Sequence, residues 1–287
     1  MKIVLKRLMK DNVARLCLSL IAVILFLGAL APILPIANPN QVDIAHKLLG
    51  PSAAHWLGTD LLGRDLLSRL IWGIRSTVYT AILTMLCTSI LGALYGAIAG
   101  ASGEKTDQVM MRLCDILMSF PSEVMILAIV GMLGPGLPNV ILACIVAKWP
   151  WYARMMRTLV RKLTQSNYVS FARVVGLSST RILFKHLIPG AMGEFFVLMT
   201  LDTGSVILMI SALSFLGLGV QPPTAEWGMM LAETKDILTI NPYQMIPAGA
   251  AILIVVAAFN FLGDALRDAF DLRHIQANRP SPSKEQA

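Results

Sequence analysis

Six apolar runs, at roughly residues 16–35, 77–100, 116–134, 138–157, 190–212 and 246–266, govern what this chain can fold into. Each is close to the ~20 residues that an α-helix needs to cross a ~30 Å hydrocarbon layer. In lipid no water satisfies a free N–H or C=O, so such a run must close its hydrogen bonds internally as a helix. The expected fold class is an all-α polytopic membrane protein with about six transmembrane helices, stabilised by helix packing in lipid. Composition agrees: 56% of residues are hydrophobic and 14% charged, against ~25% charged in soluble domains.

The positive charges orient these spans. Of 24 Lys and Arg, 18 fall in or beside segments 1–15, 101–115, 158–189 and 267–287, and five in 36–76, 135–137 and 213–245. Lys148 lies inside a span. Positive residues collect on the cytosolic side, so both termini are expected inside. The net charge of +7 sits at span ends, where anionic lipid headgroups rather than nucleic acid are the partner. Lys2, Lys6, Arg7, Lys10 and Arg15 precede the run Leu16–Leu34, and Ala29-Leu30-Ala31 mimics a signal cleavage site. The run is long enough to span, and Pro32 would follow the cut, so it is read as a retained first helix. Residues 1–76 then form one part (tail, first helix, outer segment). Residues 77–287 form a transmembrane core with an inner loop at about 158–189 and a C-terminal tail.

Several chemistries are missing. The closest approach to a phosphate loop, Gly100-Ala-Ser-Gly-Glu-Lys-Thr106, has the wrong spacing. Cys17, Cys87, Cys114 and Cys144 form no CxxC pair and read as packing residues. His46, His55, His186 and His274 are far apart, and the methionines lie mostly in spans. No tightly bound metal and no cofactor is expected. No nucleophile is paired with a base, so the chain does not read as an enzyme.

The outer segments carry distinct patterns. Leu62, Leu66, Leu67, Leu70, Ile71 and Ile74 share one helical face, with Asp65 and Arg69 an i,i+4 pair on the other. This predicts a helix lying in the membrane interface, with a re-entrant or packing helix that carries no direct chemistry as the plainer reading. In 213–245, two glycines and two prolines prevent a continuous helix, so that segment must dip into protein or a cavity. Gly92, Gly96 and Gly100 form a small-residue stripe that permits close helix approach.

The stretch 152–189 is a basic island, with seven Lys and Arg and no acid. Residues 165–189 read as helix, turn, helix: Gly176 suits a left-handed C-terminal position and Ser178 an N-cap. Pro189 suits the first turn of the fifth span. Ala172 is small enough for a partner to approach, with Val174, Val175 and Leu177 as an apolar edge and Arg173, Arg181 and Lys185 as charge. Such a finger can transmit force from a cytosolic motor; anchoring at headgroups is the plainer reading.

With Ala172, Gly176 and Pro189 in register, this loop resembles the "EAA" coupling loop of ABC importer permeases. Ser170 stands where that family often has Glu and Phe171 where it often has Ala. His55-Trp-Leu-Gly-Thr-Asp60, Gly63-Arg-Asp65, Phe215-Leu-Gly-Leu-Gly219 and Pro222-Pro-Thr-Ala-Glu-Trp-Gly228 are similar to the dipeptide/oligopeptide/nickel group of these permeases. Trp149-Pro-Trp-Tyr-Ala-Arg154 and Phe259–Asp268 look most like the nickel-type member. The resemblance implies a multi-pass protein of the bacterial cytoplasmic (inner) membrane. It implies a heterodimer with a second permease, two cytosolic ATPase subunits that use ATP and Mg, and an extracytoplasmic solute-binding protein. The coupling residues would be Ser170, Phe171, Ala172, Arg173, Gly176, Arg181 and Pro189. The cargo implied is nickel or another transition metal, perhaps as a small chelate, with di- or oligopeptide as the alternative.

Asp202 is the one acid deep in an apolar run, beside Thr200, Thr203, Gly204 and Ser205. It either borders the translocation pathway, with Thr203 and Ser205, or pairs with a neighbouring helix. It is also the only feature favouring an ion-gradient-driven transporter, which transport without ATP would reveal. Glu194 is expected at the inner interface, and Asp264, Arg267 and Asp268 in local helix pairs.

Overall fold

The structure is a computed structural model describing residues 7–270, and among these the chain is helical apart from turns and one isolated bridge. The first helix, α1 (Asn12–Leu30), starts where the Asp11 carboxylate accepts from Val13 N at 2.8 Å. It ends short of the expected residue 35, ahead of Pro32 and Pro35, which cannot continue the hydrogen-bond ladder.

The expected interfacial helix is instead the outer end of the second span. Helix α2 (Leu66–Ala101) runs unbroken for 36 residues, through a π turn at Arg75–Tyr79. At 1.5 Å per residue it is about 54 Å long, well beyond the ~30 Å hydrocarbon layer. Its apolar side, Leu66 and Ile74, is buried inside the protein, and the outer part of α2 packs on α1.

The expected span 116–134 is broken. Helices α3 (Glu104–Leu117) and α4 (Ser122–Leu133) meet at a bend of 71°. Pro121 lacks an N–H and disfavours helical geometry at Phe120, so the chain turns at that point. Helix α5 (Leu137–Thr164) extends seven residues past the expected boundary, and α6 (Asn167–Val174) follows. Helix α7 (Ser179–Phe215) is continuous over 37 residues. Pro189 falls in the first turn of the α-helical stretch Ile188–Phe215, as expected, although a π turn at Leu183–Leu187 joins that stretch to the helix before it. The inner loop shortens to 165–178, because Val160 is buried and Leu159 and Leu163 pack against the core, holding 158–164 helical. Helices α8 (Trp227–Glu233) and α9 (Met245–Phe270) complete the described chain. By length and apolarity α1, α2, α7 and Pro242–Phe270 can cross a membrane, and the bent α3–α4 pair makes a fifth.

The outer segments fold into a cap. Asp65 and Arg69 are not a pair: Asp65 caps α2 through Ser68 N at 2.7 Å and bonds His55 Nδ1 at 3.0 Å. Arg69 turns inward, where it and Arg64 each donate to Glu233 Oε2 at 2.8 Å, and Arg64 Nε donates to Asp60 at 2.6 Å. Both arginines are at most 2% exposed, so each depends on its acids. The broken segment 213–245 does enter protein. Glu226 accepts from Met229 N at 2.8 Å, Thr77 Oγ1 at 3.0 Å and Ser211 Oγ at 3.3 Å. Burial pushes its carboxyl above the usual range, against the pull of those donors. Trp227 is 2% exposed and donates to Leu70 O at 2.9 Å.

The glycine stripe does what its spacing predicts. A Cβ on Gly92 would lie 2.4 Å from Tyr152 Cβ, and one on Gly96 would lie 2.0 Å from Ala153 O. One on Gly100 would lie 2.9 Å from Arg157 O. The backbones of α2 and α5 therefore touch along three turns. We expect Gly96→Leu to lower stability by about 1–3 kcal/mol, as overpacking does. Gly131→Ala, in a helix with nothing near its Cβ, should be neutral or stabilising by up to ~1 kcal/mol. Thermal unfolding of detergent-purified variants checks this; equal midpoints for the two would contradict the contact.

Candidate functional site

The contact between α2 and α5 fixes which face of α5 meets α7. Lys148 and Tyr152 are one helical turn apart and project from the same face of α5. Pro150, between them, removes a hydrogen bond to Val146 O within the helix. Lys148 Nζ lies 2.8 and 2.9 Å from the two oxygens of Asp202, and Tyr152 OH donates to Asp202 Oδ2 at 2.7 Å. The Tyr152 ring is wholly buried, edge-on to Trp151 and Phe195 at 4.9 and 5.8 Å between centroids. Asp202 therefore has a partner for each oxygen, which is what a carboxylate at this depth requires.

The pair is not sealed. Lys148 and Asp202 side chains keep 16% and 21% of their exposure and line an open cleft of about 410 Å³. Its other walls are the α3–α4 bend (Met118, Phe120, Pro121, Ser122, Glu123) with Ala147 and Trp151 of α5. By helix rise the pair sits about 15–20 Å from the Leu137 end of α5 and the Phe215 end of α7, about half the thickness of a hydrocarbon layer. One cation and two carboxylates thus meet where a helix is broken, on a mostly aromatic and apolar surface.

Of the three residues expected along a pathway, only Asp202 lines this cleft. Thr203 is buried, with its hydroxyl on Met199 O at 2.8 Å, and Ser205 is exposed outside the lining. Lys148, Tyr152 and Glu123 were missed as site residues. The available signal was the lone cation Lys148 opposite the lone acid Asp202, both inside apolar runs.

At the far end of α5, α6 leads to Gly176 at φ +83°, and Ser178 then caps α7 through Arg181 N at 3.4 Å. Ser170, Phe171, Arg173, Gly176, Arg181 and Pro189 are all exposed, as are Val174 and Val175. Ala172 is not: it is 7% exposed and packs into its own chain, so its small size serves internal packing rather than a partner. Behind this turn Asp107 of α3 receives Arg157 and, at 3.1 Å, Arg161 of α5. Lys162 reaches Glu194 at 3.4 Å on the surface. Asp264, Arg267 and Asp268 are exposed and make no ion pair among the described residues. His186 lies against the Tyr168 ring at 6.4 Å, with no backbone bond. His274 and the C-terminal tail lie outside the described residues. Among the described residues no three His, Cys, Asp or Glu gather as a metal set.

Comparison with known proteins follows the same lines. Residues 92–276 match the family described as binding-protein-dependent transport system inner membrane component. The chain is 41% identical over 271 residues to a metal-staphylopine import system permease protein of Staphylococcus aureus, covering 94% of each. It is 43% identical over 234 residues to a nickel transport system permease protein of Escherichia coli, covering 82% of this chain and 84% of that one. A dipeptide transport system permease protein of Alkalihalophilus pseudofirmus is 35% identical over 266 residues, covering 93% and 88%. Among solved structures, an inward-facing MetNI methionine ABC transporter shares the fold, with a TM-score of 0.53 at 16% identity over 70% of this chain and 97% of that one.

The ion pair makes a specific forecast. Asp202→Asn leaves the Lys148 ammonium without its counter-charge and should cost about 1–3 kcal/mol. Adding Lys148→Met should restore most of that loss, since no charge is then stranded. Detergent unfolding midpoints of the two single variants and the double variant measure the coupling. Strictly additive losses would contradict the pairing.

Proposed function

The chain belongs to the binding-protein-dependent transport permeases, the inner-membrane components of ABC importers, and from that premise we propose that it carries nickel or another transition metal, as a small chelate, across the bacterial cytoplasmic membrane. As a member it is a non-catalytic subunit, and ATP hydrolysis belongs to partner ATPases. The observation that carries the cargo reading is the similarity, at 41% and 43% identity, to permeases named for metal-staphylopine and nickel. The dipeptide relative, at 35% over nearly the whole chain, supports peptide as the second reading.

In this reading the working unit is a heterodimer with a second permease, two cytosolic ATPases that use ATP and Mg, and an extracytoplasmic solute-binding protein. Six crossings are made by α1, α2, the α3–α4 pair, α5, α7 and α9, with both termini cytosolic. The cap built from Asp60, Arg64, Arg69 and Glu233 then faces outward. The positive-charge bias supports that orientation. Single cysteines introduced at Gln221 and Asn167, in a chain without its native cysteines, should be labelled by a membrane-impermeant reagent from opposite sides. Labelling of both from one side would overturn the topology.

The turn at Gly176 is the coupling element. Its support is an exposed apolar edge (Phe171 68%, Val174 84%, Val175 63%) flanked by Arg173 and Arg181, at the inner end of a helix that continues to Asp202. A motor that pushes on 167–178 acts on a rigid lever reaching the cleft, which is the part of the translocation pathway contributed by this chain. Gly176 has open space around its Cβ position, so a substitution acts through its positive φ and through the partner surface. Cells with the complete importer should show ATP-dependent uptake of nickel-63 that is lost without this chain. Gly176→Asp should leave the complex assembled and reduce uptake at least tenfold. Undiminished uptake in assembled Gly176→Asp complex would remove the turn from the coupling path; nickel-independent growth and uptake would remove the metal reading.

A further inference from the structure

Between α3 and the second half of α5, positive charge exceeds negative. Asp107 takes Arg157 and, at 3.1 Å, Arg161, while Asp115 takes Arg154. Glu104 and Lys105, at the start of α3, offset each other. Arg112 is exposed and makes no ion pair among the described residues. Arg112, Arg154 and Arg157 all line one open hollow of about 430 Å³ between the two helices, with Gln108, Met111 and Asp115 as its other walls. Four arginines thus meet two aspartates, and the hollow keeps a surplus of positive charge. Depth and neighbourhood say what that surplus faces. By helix rise Arg154 and Arg157 sit about 26 and 30 Å from the Leu137 end of α5, where a ~30 Å hydrocarbon layer gives way to headgroups. Next to the ridge Gln108, Arg112 and Asp115 on α3 runs the ridge Val109, Leu113 and Ile116, which are 72, 45 and 63% exposed. A soluble anion would use the arginines and leave that apolar ridge bare. An apolar partner would cover the ridge and leave the arginines in surplus. A molecule with an anionic head and a hydrocarbon tail answers both.

Resting on the reading of α5 as a membrane crossing, we propose that this hollow is a binding site for one anionic phospholipid. Its phosphate diester lies among Arg112, Arg154 and Arg157, whose guanidinium N–H groups match phosphate oxygens in pairs. An acyl chain runs along Val109, Leu113 and Ile116. This differs from the general attraction of basic span ends to headgroups: the site saturates at one lipid, needs residues of both helices and selects charge. Phosphatidylcholine offers the same phosphate but brings its own cation, so it leaves the surplus uncompensated. By joining Arg112 to Arg154, the lipid ties α3, which ends at the bend lining the cleft, to α5.

The test uses the complete importer, with all its subunits, in phosphatidylcholine nanodiscs. Each preparation holds a trace of a photoactivatable lipid with a diazirine on one acyl chain, either phosphatidylglycerol or phosphatidylcholine. After irradiation, peptide mass spectrometry measures adducts on residues 104–117. Phosphatidylglycerol should label this stretch at least fivefold more than phosphatidylcholine. Arg112→Gln with Arg154→Gln should lower the phosphatidylglycerol label at least fivefold and leave the phosphatidylcholine label unchanged. Arg112→Gln alone breaks no pair in the chain, so it carries the test if the double variant fails to assemble, with at least a twofold loss expected. Equal labelling by the two lipids overturns the proposal, as does phosphatidylglycerol labelling that survives the arginine variants. Loss of that label on adding soluble glycerol 3-phosphate gives the arginines to a free anion and overturns the lipid site. No label from either lipid means that protein covers the stretch, which overturns it too. The crossing by α5 is tested separately, with single cysteines at Pro135 and Asn167 in a chain without its native cysteines. Impermeant labelling of both from one side removes the membrane depth on which the site rests. Labelling from opposite sides without a lipid preference overturns the lipid site alone.

Discussion

The direct backbone contact between α2 and α5 is the constraint on which the rest of the structure depends. Gly92, Gly96 and Gly100 leave no room for any side chain against Tyr152, Ala153 and Arg157. In lipid there is no hydrophobic force to hold two helices together, so close packing of small residues must do it. That contact fixes the rotation of α5. Because α5 carries Lys148 and Tyr152 one turn apart, its rotation decides that both meet Asp202 of α7 rather than lipid. The three residues then satisfy each other at a depth where none could stay unpartnered.

Two further devices frame this centre. At one end, Arg64 just before α2 and Arg69 in its first turn close on Glu233 of α8, while Trp227 and Glu226 pin α8 to α2 and α7. At the opposite end, Arg157 and Arg161 gather on Asp107, tying α3 to the end of α5. Between them, the α3–α4 bend leaves the cleft open. The molecule is thus held firmly at both ends, with an aperture at mid-depth where its charges are paired but reachable. A continuous helix runs from the Gly176 turn to Asp202, so the inner surface and the cleft share one rigid element.

The sequence made the helical class, the glycine contact and the left-handed turn at Gly176 legible, because each follows from local chemistry: apolar length, side-chain absence, and freedom at positive φ. It fell short where tertiary partners decide. Leu66–Ile74 fits both an interfacial and a packing helix by its pattern; the structure makes it a packing helix against α1, and its arginine finds Glu233, over 160 residues away. Ala172 reads as a place for a partner to approach, but its own chain covers it. The span at 116–134 reads as continuous, but Pro121 breaks it at the cleft. For Asp202 the sequence left open a place on a pathway or a pair with a neighbouring helix; the structure pairs it with Lys148 of α5, the lone cation in another apolar run, whose opposite sign was the overlooked clue. Periodicity reports which residues are apolar on one face, and it carries no information on which distant charge completes a buried pair.

The central claim is that Lys148 and Asp202 are directly paired inside the bilayer, held so by the α2–α5 contact. Solid-state NMR of the assembled importer in lipid, with nitrogen-15 at the lysine Nζ and carbon-13 at the aspartate carboxyl, measures it directly. The account predicts strong dipolar recoupling between the two, matching an N···O contact of 2.8 Å, and its disappearance in Lys148→Met. Resting wild-type importer with no recoupling above that variant's background would contradict it.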